Sequence, residues 1–133
     1  MPATTETLQL RTEQDIVLAR QAVRRLAVAQ GFSLVDQTKM VTAASELARN
    51  TVTYGQGGDM TAELLLDGLR KGLRLTFTDN GPGIPDVNLA MTDGWTSGSG
   101  MGLGLSGAKR LVNEFDIQTA PGAGTRVTIT RWK

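Results

Sequence analysis

The stretch Glu46-Leu-Ala-Arg-Asn50 decides the fold prediction for this chain, because two further motifs follow it in a fixed order. Asp79-Asn-Gly-Pro-Gly83 comes at the end of an apolar run, and Gly98-Ser-Gly-Met-Gly-Leu-Gly104 precedes a stretch with helical spacing. Together they supply a carboxylate and a carboxamide on one predicted helix, a second carboxylate after a strand, and a Gly-rich loop. This combination predicts a site for a nucleotide and its metal ion.

The composition excludes several classes of function. The chain has 133 residues, enough for one domain with a substantial core, and contains neither His nor Cys. A triad with a His base, a zinc-imidazole site, thiolate chemistry and a disulfide framework are therefore excluded. The net charge of +1 offers no basic stripe for nucleic acid, and no apolar run is long enough to span a membrane. We expect a cytoplasmic protein, since the N-terminus lacks the features of a signal peptide.

Hydrophobic periodicity and capping signals predict both strands and helices. Strands are expected at Thr5–Leu10, Met60–Asp67, Gly72–Asp79, Asp116–Ala120 and Thr125–Trp132, with a hairpin loop at Gly68–Gly72. Helices are expected after the N-caps Thr12 and Ser33, ending near Gly31 and Gly55, and over Gly104–Phe115. The pattern predicts an α+β fold, with an antiparallel or mixed sheet and helices on one face.

Glu46 and Asn50 are four residues apart on a predicted helix, so their side chains share one face. An amide oxygen suits a magnesium ion that already carries phosphate oxygens and waters, and a nearby carboxylate can take a proton from an attacking hydroxyl. Taken alone, the pair also fits an ordinary solvated helix face.

Asp79 follows a predicted strand, where its carboxylate can accept a hydrogen bond from an exocyclic amine such as that of adenine. Gly81 and Gly83 permit positive φ and a close approach of a flat ring to the backbone. A strand-ending Asx turn explains the same residues without a ligand.

The glycines Gly98, Gly100, Gly102 and Gly104 precede the third predicted helix, and main-chain amides at a helix N-terminus favour phosphate. The loop lacks the Gly-Lys-Ser/Thr ending of a P-loop, so a Walker A site is excluded. A flexible linker is the alternative. Thr125, at the start of the last strand, either reaches a base through water or simply begins the strand.

The three motifs resemble, in order and spacing, the boxes of the GHKL ATPase superfamily, to which gyrase B, Hsp90 and histidine-kinase catalytic domains belong. The resemblance covers nearly the whole chain. Within that superfamily, the short chain with Glu46-x-x-x-Asn50 is similar to the bacterial anti-sigma-factor kinases and to the switch kinases of stressosome pathways. The segments Ser45–Asn50, Asn113–Ile117 and Gly124–Arg126 carry this closer similarity.

The resemblance implies a Bergerat-type two-layer α/β sandwich that binds ATP and Mg²⁺ under a Gly-rich lid. By matching position, Glu46 would be the general base, Asn50 would coordinate magnesium, and Asp79 would bind the adenine amino group. The remaining matched residues would shape the adenine pocket (Gly81, Gly83 and Thr125) or line the phosphates (Gly98, Gly100, Gly102 and Gly104).

The resemblance also implies partners. The leading hypothesis is a serine/threonine kinase that phosphorylates STAS-domain scaffold proteins and, once released, activates a PP2C-type phosphatase. The alternative is a nucleotide-dependent anti-sigma factor that sequesters a sigma subunit.

Overall fold

The structure is a computed structural model that describes residues 5–84 and 103–133. In this part of the chain a five-stranded sheet has the order β1-β2-β3-β5-β4, and each neighbouring pair is antiparallel. The strands are β1 (Thr5–Leu10), β2 (Gly58–Asp67), β3 (Arg70–Asp79), β4 (Glu114–Thr119) and β5 (Thr125–Trp132). The expected α+β class is confirmed.

The described helices are α1 (Glu13–Ala29), α2 (Leu34–Thr53) and α3 (Leu103–Arg110). A capping box begins α1: the main-chain N–H of Asp15 donates to Thr12 Oγ1 at 3.2 Å, and Asp15 Oδ2 accepts from the Thr12 N–H at 3.2 Å. Ser33 caps α2. Both predicted N-caps are confirmed. None of these helices is both long and apolar enough to cross a membrane.

Several predicted boundaries are wrong: β2 begins at Gly58 instead of Met60, and β4 spans Glu114–Thr119 instead of Asp116–Ala120. The helix expected over Gly104–Phe115 ends at Arg110, because Glu114 and Phe115 already pair with β5. The main-chain N–H of Asn113 donates to Thr130 of that strand at 2.9 Å, which draws the chain into the sheet before another helical turn can form. The expected hairpin loop is also shorter, since β3 begins at Arg70.

The core lies between the sheet and the helices. Leu73, Leu75 and Phe77 alternate along β3 and are buried against apolar side chains of α1 and α2. The intervening β3 side chains line an open groove on the opposite face. Because β3 and β5 are antiparallel neighbours, the end of β3 lies beside the start of β5, over the C-terminal half of α2.

Candidate nucleotide-binding site

A pocket lies between α2, the end of β3, the start of β5 and α3. Its polar residues are Asn50, Asp79 and Thr125, so the fold brings together side chains from three separate elements. Among the described residues, five apolar ones also line it: Leu47, Phe77, Ile84, Leu105 and Val127. A wider groove crosses the opposite face of the sheet, but none of the three polar residues lines it. Apolar walls with a few convergent polar groups are typical of small-molecule sites.

Asp79 is the last residue of β3 and lies opposite Thr125, the first residue of β5. Its Oδ1 accepts a hydrogen bond from the Gly81 N–H at 2.9 Å, and the Thr125 N–H also donates to the carboxylate. Burial is the largest influence and raises the pKa of Asp79 above its ordinary value, although both N–H donors act in the opposite direction. The local fold therefore holds a partly buried acceptor at the pocket.

Three glycines allow the main chain to approach Asp79 closely. A Cβ atom on Gly55 would overlap the Asp79 carboxylate, and a Cβ atom on Gly124 would overlap the main-chain oxygen of Asp79. A Cβ atom on Gly81 would lie 2.8 Å from the Gly55 main chain. The sequence pattern pointed to Gly81, but it gave Gly55 only as a helix end and Gly124 only as part of a segment of family similarity, because their contact with Asp79 is made by the tertiary fold.

Asn50 lies in the last turns of α2, and its side-chain nitrogen Nδ2 is buried without a hydrogen-bond partner among the described residues. A buried amide donor left in this way costs free energy unless a ligand supplies an acceptor. Glu46 lies one turn earlier on the same side of α2 and is exposed. It does not line the pocket.

The segment after Asp79 is fixed to the end of β4. Gly83 has φ +77°, and a Cβ atom there would overlap the main-chain oxygen of Ala120, so Gly83 serves this backbone contact and does not line the pocket. The Ile84 N–H donates to Thr119 Oγ1 at 2.9 Å, which places Ile84 in the pocket wall. The sequence analysis missed Thr119, although a polar residue on the core-facing side of a predicted strand is a usable signal.

Comparison with known proteins identifies the family to which the chain belongs. The sequence model of the histidine kinase-, DNA gyrase B- and HSP90-like ATPases matches residues 35–133. The chain belongs to this ATPase family. It is 43% identical over 125 residues to the serine/threonine-protein kinase RsbT of Bacillus subtilis, and the match covers 94% of each chain. The predicted GHKL membership is confirmed.

Two further relatives extend the comparison within the ATPase family. An anti-sigma F factor of Clostridium novyi is 27% identical over 121 residues, which cover 84% of this chain and 85% of the relative. A solved Mycobacterium tuberculosis structure with RsbU and RsbW domains has a TM-score of 0.66 and 23% identity. That match covers 100% of this chain but only 33% of the longer protein, and it supports the fold alone.

The described residues enclose a cavity of only about 20 Å³, which holds about one water molecule and is too small for a nucleotide, but their polar groups are of the kinds that contact one. Asn50 offers an unpartnered donor and an amide oxygen, and Asp79 offers an acceptor for an amine. Within residues 5–84 and 103–133 no group of three or more acidic side chains could hold a metal ion by itself. A magnesium ion here would therefore take most of its ligands from phosphate and water, which is its usual preference.

The Gly-rich loop is only partly described. Gly98, Gly100 and Gly102, which the sequence analysis assigned to phosphate binding, lie outside the described residues. Gly104 is the second residue of α3, so its main-chain amide belongs to the N-terminal turn of that helix. The helix begins at Leu103, two residues before Leu105, which lines the pocket.

Gly55→Ala is expected to weaken ATP binding at least about tenfold, because the added methyl group must displace the Asp79 carboxylate. Gly107→Ala is the matched control: it lies in α3, and a Cβ atom there meets no atom of the described residues within 4 Å. Isothermal titration of both variants with Mg-ATP measures the difference. Wild-type affinity in Gly55→Ala would contradict the participation of Asp79 in the binding site.

Proposed function

We propose that this chain transfers the γ-phosphoryl group of ATP to Ser or Thr of a STAS-domain protein. When released from that substrate, it binds and activates a PP2C-type phosphatase, so that one domain serves as both kinase and switch. The observation that carries this proposal is the 43% identity to the serine/threonine-protein kinase RsbT over 94% of both chains. The proposed place of action is the cytoplasm.

The site residues take the following proposed roles. Asp79 accepts a hydrogen bond from the adenine amino group, within a pocket shaped by Gly81 and Thr125, while Gly83 holds the adjoining loop. Asn50 ligates Mg²⁺, which when bound neutralises charge on the phosphates. The glycines Gly98, Gly100, Gly102 and Gly104 contact the phosphates.

Glu46 is the proposed general base. Its exposed position, one turn before Asn50, leaves it accessible to the hydroxyl group of a protein substrate that approaches from solvent. Phosphoryl transfer requires mostly positioning and charge stabilisation. A single carboxylate near the proposed metal ligand is therefore enough to act as the base.

A second candidate function is an anti-sigma factor that sequesters a sigma subunit. The 27% identity to an anti-sigma F factor of Clostridium novyi favours it. The proposals differ in their stable partner: an anti-sigma factor forms a lasting complex with a sigma subunit, whereas a switch kinase forms one with a phosphatase.

The test is the intact mass of a STAS-domain protein encoded beside this chain, after incubation with the chain and Mg-ATP. We expect one added phosphate per acceptor site, and none when a non-hydrolysable ATP analogue replaces ATP. A parallel pull-down offers a PP2C-type phosphatase and a sigma factor at equal concentration. An unmodified STAS protein together with a recovered sigma factor would overturn the kinase proposal in favour of sequestration.

A further inference from the structure

Thr119 lies at the end of β4, paired with Thr125 of β5, and its hydroxyl has three neighbours. Its Oγ1 accepts from the Ile84 N–H at 2.9 Å and donates to the Gly124 main-chain oxygen at 3.0 Å. The third neighbour is Thr125 Oγ1 at 2.9 Å. Both Ile84 and Thr125 line the pocket, so one hydroxyl group connects two of its walls.

The number of donors and acceptors on the Thr119 hydroxyl group determines the direction of its hydrogen bond with Thr125. A threonine hydroxyl has one proton and two lone pairs. A carbonyl oxygen only accepts, so the Thr119 proton is used on Gly124, and one Thr119 lone pair receives the Ile84 N–H. The remaining lone pair faces Thr125 Oγ1, which must therefore be the donor. With its own proton used in this way, Thr125 presents only lone pairs to the pocket.

We infer that Thr119 is a positioning residue that fixes the Thr125 hydroxyl as a hydrogen-bond acceptor and thereby favours adenine over guanine. The inference rests on the proposed function, because it concerns the base of the nucleotide bound in the Asp79 pocket. Adenine carries an exocyclic amine, a donor, where guanine carries a carbonyl oxygen, an acceptor. Asp79 and Thr125 line one pocket and are both acceptors. In the proposed pose the adenine amine faces them and is satisfied, whereas a guanine oxygen in the same position would meet two groups that cannot donate to it.

The decisive variant is Thr119→Val, which keeps the shape of the side chain and removes the hydroxyl. Thr125 then loses its acceptor on β4, and its proton becomes free to point into the pocket. We expect the ratio of the GTP to the ATP dissociation constant to fall about tenfold, the effect of one reversed hydrogen bond. Thr119→Ser keeps the hydroxyl and is expected to retain the wild-type ratio.

The test is isothermal titration of wild type, Thr119→Val, Thr119→Ser and Thr125→Val with Mg-ATP and with Mg-GTP. Adding Thr119→Val to Thr125→Val is expected to leave the ratio unchanged, because Thr119 acts through Thr125. A general loss of pocket structure would weaken both nucleotides equally and leave the ratio intact, and that result would overturn the inference. Absence of ATP binding by wild type would instead overturn the proposed function, so the two failures are distinguishable.

Discussion

Glu46→Gln is expected to slow phosphoryl transfer by about 10²–10⁴-fold while leaving ATP affinity within about twofold of wild type. The substitution removes the proton acceptor but keeps the size of the side chain and its position on α2. Glu46 is exposed and does not line the pocket, so binding of the base and ribose should not depend on it. Single-turnover transfer to the STAS-domain protein and isothermal titration with Mg-ATP measure the two quantities separately.

The matched control for this variant is Glu63→Gln, the same chemical change on the sheet face that the helices do not cover. It should leave both the transfer rate and the affinity unchanged. A normal transfer rate in Glu46→Gln would show that another group, or the substrate phosphate itself, accepts the proton. A loss of ATP binding in the same variant would indicate that Glu46 holds the metal ion and would make the role assigned to Asn50 incomplete.

Most of the fold could be predicted from local signals. The predicted strands Thr5–Leu10 and Thr125–Trp132 coincide with β1 and β5, because alternating side chains bounded by turn or capping residues define both ends. Leu111 and Val112 continue the helical spacing, so the predicted helix extended to Phe115, beyond the end of α3 at Arg110. Pairing with β5 decides that boundary, and the pairing partner is separated by more residues than a local pattern spans.

The sequence predicted those site residues that belong to motifs with characteristic spacing. Asn50, Asp79 and Thr125 were singled out from the sequence, and the fold places them in one pocket. Gly55 and Thr119 were not, since their importance arises from close approach between elements. The roles assigned to all of these residues remain predictions that only measurements of binding and transfer can test.

Asp79→Asn is expected to weaken ATP binding by about 10–100-fold. The charged carboxylate that accepts a hydrogen bond from the adenine amine is replaced by a neutral amide, whose NH₂ group is a donor and cannot accept it. The variant should nevertheless be at least as stable as wild type at neutral pH. Burial raises the pKa of Asp79, which means that the folded chain holds the ionised carboxylate at a free-energy cost. Loss of function without loss of stability is the signature expected of a binding residue.

The stability difference should also depend on pH in a defined direction. The folded pKa of Asp79 is raised above its ordinary value of 3.8, so the protonated group contributes stability that is fully present below that value. This contribution is lost as the pH rises through the folded pKa, whereas the side-chain amide of the variant does not titrate. The melting temperature of Asp79→Asn minus that of wild type should therefore increase from about pH 4 upward and then level off.

Thermal unfolding of both proteins from pH 4 to pH 8, without nucleotide, measures this difference directly. Asp59→Asn is the control for the loss of one carboxylate, because Asp59 is exposed on β2. A difference for Asp79→Asn that shrinks with rising pH would mean that the two N–H donors outweigh burial and that the carboxylate stabilises the fold. The Asp79 carboxylate would then have a structural role, and the weakened ATP affinity of the variant would have to be attributed to a distorted pocket.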